Sequence, residues 1–330
     1  MKTIGQPLPL RKAAGENSHD GQSARESGES TLLEEIKTTL SAHDGTSIFA
    51  RAWVPGDAKC VLVCVQGLGG HGGYYEALAG QLASASAGTV VVAPDLRGHG
   101  RSEGVRGNID RFERYLEDVD AAIAWGRTYW PDKPLIMLGE SMGASIAIQY
   151  IVRSQKSNSH ATIAGLVLVS PVLRPAISPS MREVVRFLHS LLVAPSRPSI
   201  LVTGREELGC RDADFNALLR ADPLFVRLVS VRFLNSLTSW LRQSRRKARQ
   251  IQLPLLVLQG GRDYVARPAA TVAFLRLVPA RDQRLVTFPE AYHCLLYDPD
   301  TPVLVKTLAS WLIAHSQIAP ADTHKGHPYI

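Results

Sequence analysis

Gly139-Glu140-Ser141-Met142-Gly143 is the stretch of sequence that decides the fold. The apolar run before it, residues 134–138, predicts a buried strand, and residues 144–150 predict a helix packed on a sheet. A G-x-S-x-G sequence between a strand and a helix is typical of a nucleophile elbow, a tight turn that exposes the serine hydroxyl. The glycines are needed because a β-carbon would collide with the neighbouring strand or helix. The pattern therefore predicts Ser141 as a nucleophile; the alternative is a glycine-rich structural turn.

The composition of the chain is that of an ordinary globular protein. Its 330 residues are 45% apolar and 20% charged, and no apolar run approaches the roughly 18 residues that a membrane span needs. The N-terminal residues lack the apolar segment of a secretory signal, so we expect a cytoplasmic protein. Four scattered cysteines and the absence of a His/Cys cluster with zinc spacing predict neither a disulfide framework nor a metal site. We expect no cofactor.

Strand and helix patterns alternate along most of the chain. The predicted strands are Ser47–Trp53, Cys60–Gln66, Thr89–Ala93, Pro134–Leu138, Gly165–Ser170, Pro254–Gln259 and Arg284–Phe288. The predicted helices are Tyr74–Ala83, Ile109–Thr128, Met142–Val152, Pro268–Leu277 and Pro302–His315. This alternation predicts an α/β fold: an open, mostly parallel sheet, buried on both faces and flanked by helices. Ligands bind such sheets at the carboxyl ends of the strands.

The rest of the chain divides around this core, which is predicted to span 34–172 and 251–317. Residues 1–33 are rich in Gly, Ser and mixed charge, so they are interpreted as a disordered leader. Residues 173–250 show amphipathic helical stretches without strand alternation, and they are too long for a simple loop. We therefore predict a helical cap inserted between two core strands. Residues 318–330 are interpreted as a loose tail.

A serine nucleophile requires a base and a carboxylate that orients the base. Asp263 follows the predicted strand Pro254–Gln259, and His293 follows Arg284–Phe288. The chain order Ser, Asp, His, each after a strand, is the order of the α/β-hydrolase triad. We predict Ser141, Asp263 and His293 as the catalytic residues. Asp298 and Asp300 are poorer candidates because they follow the histidine.

Acyl transfer also requires two N–H groups that bind the oxyanion. One is assigned to Met142, directly after the nucleophile at the start of a helix. The other is assigned to Leu68, in the glycine-rich loop 66–70 after the second predicted strand. The alternative for that loop is a flexible connection.

A run of basic residues, Arg242 to Arg249, contributes much of the net charge of +7. The simplest interpretation is a solvated helix end, with cations at the C-terminal turn. Contact with an anionic membrane surface is an alternative. We expect no nucleic-acid partner, because no nucleic-acid motif accompanies the charges.

The chain resembles the monoacylglycerol lipase and lysophospholipase group of α/β-hydrolases, of the serine aminopeptidase S33 or hydrolase-4 type. The resemblance covers about Thr38 to His315 and includes the loop Asp95–Gly104, the elbow, and the cap sequence Ala221-Asp222-Pro223-Leu224. In that family the Asp95–Gly104 loop is structural and borders the site. The chain departs from the family at Gln66, where relatives usually have histidine, and at Glu140, where many have histidine.

These features lead to three hypotheses. The first is a serine carboxylester hydrolase that acts on a monoacylglycerol, a lysophospholipid or a similar monoacyl ester. The second keeps the same machinery for a small ester, a thioester or an N-terminal peptide bond, with cap carboxylates such as Glu183, Glu206, Glu207, Asp212 and Asp214 as anchors for an amine. The third is a catalytically silent hydrolase fold that binds a membrane or partner. The oligomeric state is not predicted.

Overall fold

A computed structural model of the chain describes residues 33–156, 163–176, 180–202 and 208–316. The leader predicted over 1–33, apart from Leu33, and the tail predicted over 318–330 lie outside these residues. The helices are α1 (Glu76–Ser84), α2 (Arg114–Tyr129), α3 (Met142–Lys156), α4 (Met181–Val193), α5 (Ala213–Ala221), α6 (Val231–Arg246), α7 (Pro268–Leu275) and α8 (Thr301–His315). Short 3-10 helices span Gly72–Tyr75, Lys247–Gln250 and Leu295–Tyr297. None of the helices in these described ranges is long and apolar enough to cross a membrane.

Eight strands of the described chain form the central sheet. They are β1 (Glu34–Ser41), β2 (Ser47–Val54), β3 (Cys60–Val65), β4 (Thr89–Pro94), β5 (Leu135–Glu140), β6 (Ile163–Val169), β9 (Leu255–Gly260) and β10 (Gln283–Phe288). Their order across the sheet is β1-β2-β4-β3-β5-β6-β9-β10. The first two strands pair antiparallel, β2 also pairs antiparallel with β4, and every pair from β4 to β10 is parallel. The predicted open, mostly parallel sheet is confirmed.

Helices cover both faces of the sheet because successive side chains of a strand point to opposite faces. In β3, Val61, Val63 and Val65 join an apolar cluster that contains residues of α2, α3, α6 and α7. Cys60, Leu62 and Cys64 join the opposite cluster, which contains residues of α1 and α8. The central strands are therefore buried on both sides, as their apolar sequences predict.

The sequence prediction differs from the structure at the two edges of the sheet. Strand β1 is not among the predicted strands, because its sequence EEIKTTLS is largely polar, and most of its residues are exposed. Strand β10 was predicted as buried, but most of its residues are exposed because it closes the other edge. Edge strands carry a weaker apolar signal than central ones.

The segment between β6 and β9, over which we predict a helical cap, contains α4, α5 and α6. It also contains a two-stranded antiparallel sheet, β7 (Ile200–Leu201) with β8 (Leu228–Val229). The interpretation of this segment as lacking strands was therefore wrong. Two-residue strands are too short to produce an alternating pattern in the sequence.

Candidate active site

The turn between β5 and α3 places Ser141 in a strained conformation. Its φ is +55°, in the left-handed region that residues other than glycine rarely adopt. The turn is tight because β5 ends at Glu140 and α3 begins at Met142. A β-carbon at Gly143 would lie 2.0 Å from the carbonyl oxygen of Val65. Glycine is therefore required at that position for the turn to close.

Replacing Gly143 with alanine should destabilise the fold through this backbone clash. Overpacking of this kind costs about 3 kcal/mol at the upper end of its usual range, and we expect a lower denaturant midpoint in urea unfolding. Gly80→Ala is the matched control, because a β-carbon there meets nothing within 4 Å and the position is in the interior of α1. That substitution should stabilise the protein by about 0.5–1 kcal/mol. Equal midpoints for the two variants would contradict this account of the turn.

The structure brings Ser141, His293 and Asp263 together at the carboxyl ends of β5, β9 and β10. The Nε2 atom of His293 lies 2.8 Å from the Oγ atom of Ser141. Its Nδ1 atom lies 2.8 Å from Oδ2 of Asp263. Asp263 and His293 are buried, and Ser141 is half-buried. Since a carboxylate accepts hydrogen bonds, Nδ1 carries the proton and Nε2 is left to accept the hydroxyl proton of Ser141.

Backbone and amide groups hold the Asp263 carboxylate in place. Oδ1 accepts the N–H groups of Val265 and Ala266, at 2.9 and 2.8 Å. Oδ2 accepts from Nε2 of Gln259 at 3.0 Å, in addition to the bond from His293. The side-chain oxygen of Gln259 in turn accepts the hydroxyl of Thr271 at 2.8 Å. This network fixes the carboxylate so that one oxygen faces the imidazole.

The charges around His293 favour its protonated form. Burial lowers the pKa of His293, but the negative charges of Asp263 and Glu140 outweigh this effect, so that the pKa is raised above its ordinary value. Burial raises the pKa of Glu140, because it disfavours the charged carboxylate. The Glu140 carboxylate accepts the hydroxyl of Tyr75 at 3.1 Å. The site therefore places a second carboxyl group in electrostatic contact with the imidazole.

The two segments that carry the predicted oxyanion donors, Met142 and Leu68, adjoin the nucleophile. Met142 is the first residue of α3, where an N–H group has no acceptor within its own helix and lies at the positive end of the helix dipole. The loop that carries Leu68 passes close to Ser141, since a β-carbon at Gly67 would lie 3.0 Å from that of the serine. Gln66 closes this loop by donating from Nε2 to the carbonyl oxygen of Gly70 at 2.8 Å. The side chain of Gln66 thus braces the loop.

The cap is attached to the same loop by polar contacts. Asp222, which directly follows α5, accepts hydrogen bonds from the hydroxyl of Tyr74 and from Nε2 of His71, the latter at 3.0 Å. Nδ1 of His71 accepts the N–H of Gly73 at 3.1 Å, which leaves the proton on Nε2. The carbonyl of Gly69 accepts the N–H of Val226 at 2.9 Å. Hydrogen bonds therefore link the cap to the loop that carries Leu68 and to the residues that follow it.

The loop Asp95–Gly104 holds the residues that follow the Leu68 loop in place through hydrogen bonds of Asp95. The carboxylate of Asp95, which is fully buried, accepts from Arg51 and from the N–H groups of Gly72 and Arg101, at 2.7 to 2.8 Å. It thereby joins the end of β4 to the 3-10 helix that follows the Leu68 loop. The structure gives this loop a positioning role, as the resemblance implied.

Sequence reasoning did not select the residues that support the triad and the cap contact. Gln259 ends a predicted strand four residues before Asp263. This short spacing is the sequence signal that could have identified Gln259 as a partner of Asp263. His71 and Asp222 are separated by 151 residues in sequence, so that only the fold brings them together. Cys294 follows His293 directly, and its backbone N–H donates to the carbonyl of Gly209 at 2.7 Å.

Comparisons with known proteins agree with this fold. The profile of the Hydrolase_4 family, described as serine aminopeptidase, S33, matches residues 56–300. Curated relatives include a monoacylglycerol lipase of Mycolicibacterium smegmatis, 27% identical over 85% of this chain and 99% of the relative. They also include the monoglyceride lipase of Homo sapiens, 28% identical over 83% of this chain and 88% of the relative.

A solved structure shows the same fold at lower identity. It is that of a soluble variant of monoglyceride lipase from Saccharomyces cerevisiae, with a TM-score of 0.74 and 18% identity. The match covers 88% of this chain and 98% of that one. The family profile spans well over half of the chain. The chain belongs to the Hydrolase_4 family, the serine aminopeptidase S33 group of α/β-hydrolases.

Proposed function

We propose that this serine carboxylester hydrolase cleaves a monoacyl lipid ester, a monoacylglycerol or a lysophospholipid, through a Ser141–His293–Asp263 triad. The hydroxyl of Ser141 attacks the ester carbonyl while Nε2 of His293 takes its proton. The N–H groups of Leu68 and Met142 stabilise the oxyanion, and loss of one such donor typically costs about 2.7–4 kcal/mol. The protonated His293 then gives its proton to the leaving alcohol. Water, deprotonated by His293, attacks the acyl-enzyme and releases the fatty acid and Ser141.

The lipid part of this proposal depends on an apolar face of the cap that is exposed to solvent. Met181, Val185, Leu188 and Leu192 follow each other at helical spacing along α4, and their exposed fractions are 77%, 59%, 52% and 85%. A contiguous apolar face of this kind marks a contact with a membrane or another apolar partner. The cap also adjoins the Leu68 loop, as described above. A lipid surface would therefore contact the cap through α4.

The names of the curated relatives support the same substrate class. The relatives from M. smegmatis and H. sapiens are named for monoacylglycerol or monoglyceride hydrolysis, and one from Bacillus subtilis, 28% identical, is named a phospholipase. Because of this last name, the proposal includes lysophospholipids as well as monoacylglycerols.

The proposal is tested by the hydrolysis of nitrophenyl esters from acetyl to palmitoyl, measured beside aminoacyl-anilides on the purified protein. We expect kcat/KM to rise from the acetyl ester to medium or long acyl chains and to exceed that for every anilide. A preference for the acetyl ester would contradict the lipid substrate. A preference for an anilide would favour an aminopeptidase, the activity that the family description names.

Two of the cap carboxylates that could anchor a substrate amine already accept backbone hydrogen bonds in the structure. Glu183 accepts the backbone N–H of Ser180, and Asp212 accepts that of Phe215, so that each caps a helix. Glu206 and Glu207 lie outside the described residues. The structure thus gives Glu183 and Asp212 a helix-capping role, and this favours the ester over the peptide.

The pH dependence should report the raised pKa of His293. Because the base must be neutral, kcat/KM for a soluble butyryl ester should fall as the pH decreases through this pKa, with a midpoint above about 6.5. Glu140→Gln removes a negative charge that favours the protonated imidazole, so that its midpoint should move to lower pH. Glu113→Gln, an exposed position at the start of α2, is the control and should leave the midpoint unchanged. A midpoint that is the same in all three proteins would contradict the contact between Glu140 and His293.

A further inference from the structure

Arginine side chains line a groove at the C-terminal end of α6. Its volume is about 380 Å³, and it is lined by Arg242, Arg245, Arg246, Arg249 and Leu277. The volume falls within the range of small-molecule sites, about 300–1,000 Å³. None of the residues assigned to the triad or to the oxyanion lines it. The groove is therefore separate from the proposed catalytic site.

The arginines converge because of their spacing. Positions 242, 245, 246 and 249 are separated by three or four residues, which places them on one face of α6 and of the 3-10 turn that follows. Lys247, within the same run, is directed elsewhere, and its ammonium group donates to Oε1 of Gln149. The run is thus divided by the fold into a lysine that contacts α3 and four arginines that face the groove.

The charges of these arginines are not neutralised by the protein. Across the ranges that the structure describes, none of the four guanidinium groups forms an ion pair or a side-chain hydrogen bond with another residue. By contrast, Arg97 pairs with Asp44 and Asp118. Like charges at these spacings repel each other. Binding of an anion in the groove would remove this repulsion.

A helix end favours basic residues, but this effect explains only part of the cluster. The dipole of α6 places partial negative charge at its C-terminus, equivalent to about half an elementary charge, and acts only over the last turn. Four guanidinium groups exceed that charge several-fold. The excess, together with a concave surface, points to a ligand.

The chemistry of the groove selects the class of anion. The planar guanidinium group donates paired N–H bonds that fit the oxygens of a phosphate. Four clustered positive charges match a dianion better than a singly charged carboxylate, and a phosphomonoester is close to dianionic at neutral pH. We propose that the groove is a phosphate-binding site that takes a phosphomonoester, from a lipid headgroup or a soluble metabolite. This site does not depend on the proposed ester hydrolysis.

The test measures binding of two probes to the full-length protein at constant ionic strength. Inorganic phosphate is titrated calorimetrically against a chloride background. Phosphatidylcholine vesicles that contain phosphatidic acid are compared in sedimentation with vesicles of equal surface charge that contain phosphatidylglycerol, a phosphodiester. The test variant is Arg242→Gln/Arg249→Gln, and Arg220→Gln/Arg232→Gln is the control with the same loss of charge. All four positions are exposed, and retained ester hydrolysis shows that each variant is folded.

We expect saturable phosphate binding by the wild-type protein. The affinity should fall about tenfold or more in the test variant, where a tenfold loss corresponds to about 1.4 kcal/mol. The affinity of the control variant should equal that of the wild type. Preferential sedimentation with phosphatidic acid vesicles that is lost in the test variant alone would identify a lipid headgroup as the source. Phosphate binding without that preference would identify a soluble ligand. Equal loss in both variants, or no saturable binding of either probe, would overturn the proposal. Unchanged binding in the test variant would also overturn it.

Discussion

Replacing Ser141 with alanine should lower kcat for ester hydrolysis by roughly 10⁶-fold, which is about 8 kcal/mol of transition-state stabilisation. The effect is this large because the substitution removes the atom that forms the acyl-enzyme, and Nε2 of His293, 2.8 Å from that atom, then has no nucleophile to activate. Substrate can still bind, since the cap and the Leu68 loop are unchanged. The measurement is steady-state hydrolysis of the best ester of the acyl series.

Ser145→Ala is the matched control for this variant. Ser145 lies one turn further along α3, and its buried hydroxyl donates to the carbonyl of Met142 at 2.7 Å. Its loss should reduce stability by about 1 kcal/mol, the contribution of an average hydrogen bond, and leave kcat close to that of the wild type. Similar losses of kcat in the two serine variants would show that the reaction does not depend on Ser141 as a nucleophile.

Replacing Asp263 with asparagine should lower kcat by roughly 10⁴-fold, the size of effect known for a triad in which the imidazole is left in the wrong tautomer. Oδ1 accepts two backbone N–H groups, and this fixes the oxygen of an asparagine at that position. The amide nitrogen would then face His293, where it donates instead of accepting. Nδ1 would lose its proton to Nε2, so that the imidazole could no longer accept the proton of Ser141.

The control for this prediction is Asp298, a buried carboxylate that follows β10 and His293 in the chain. Asp298 was the poorer candidate in the sequence, and in the structure it pairs with Arg211 and does not contact the imidazole. Asp298→Asn should reduce thermal stability, because it weakens that ion pair, and it should lose far less activity than Asp263→Asn. A larger loss of kcat at Asp298 would reverse the assignment of the orienting carboxylate.

The central sheet and the positions of the predicted site residues could be read from the sequence because the signals are local. The apolar runs around Ser141 and before Asp263 mark strands that are buried on both faces, and a strand followed by a glycine turn places the next polar residue at the edge where ligands bind. The predicted bounds of these strands differ from the structure by one or two residues. The same logic predicts the oxyanion donors as Met142, directly after the nucleophile, and Leu68, in the loop that passes close to it.

Features that depend on contacts between distant segments could not be predicted. The bond between His71 and Asp222 joins the core to the cap across 151 residues, and no local pattern records it. Strand β1 was missed because an edge strand carries little apolar signal. The basic run at Arg242 is visible in the sequence as charge, but the groove depends on the fold, which places Leu277, just after α7, beside these arginines.

The most direct test of the account is the site of covalent attack by a fluorophosphonate, which reacts with an activated serine and mimics the tetrahedral intermediate. Mass spectrometry of the intact and digested protein measures the adduct. The account predicts one adduct on the wild-type protein, on the peptide that contains Ser141, and none on Ser141→Ala. An adduct that persists in Ser141→Ala, or that maps to another residue of the wild type, would contradict it.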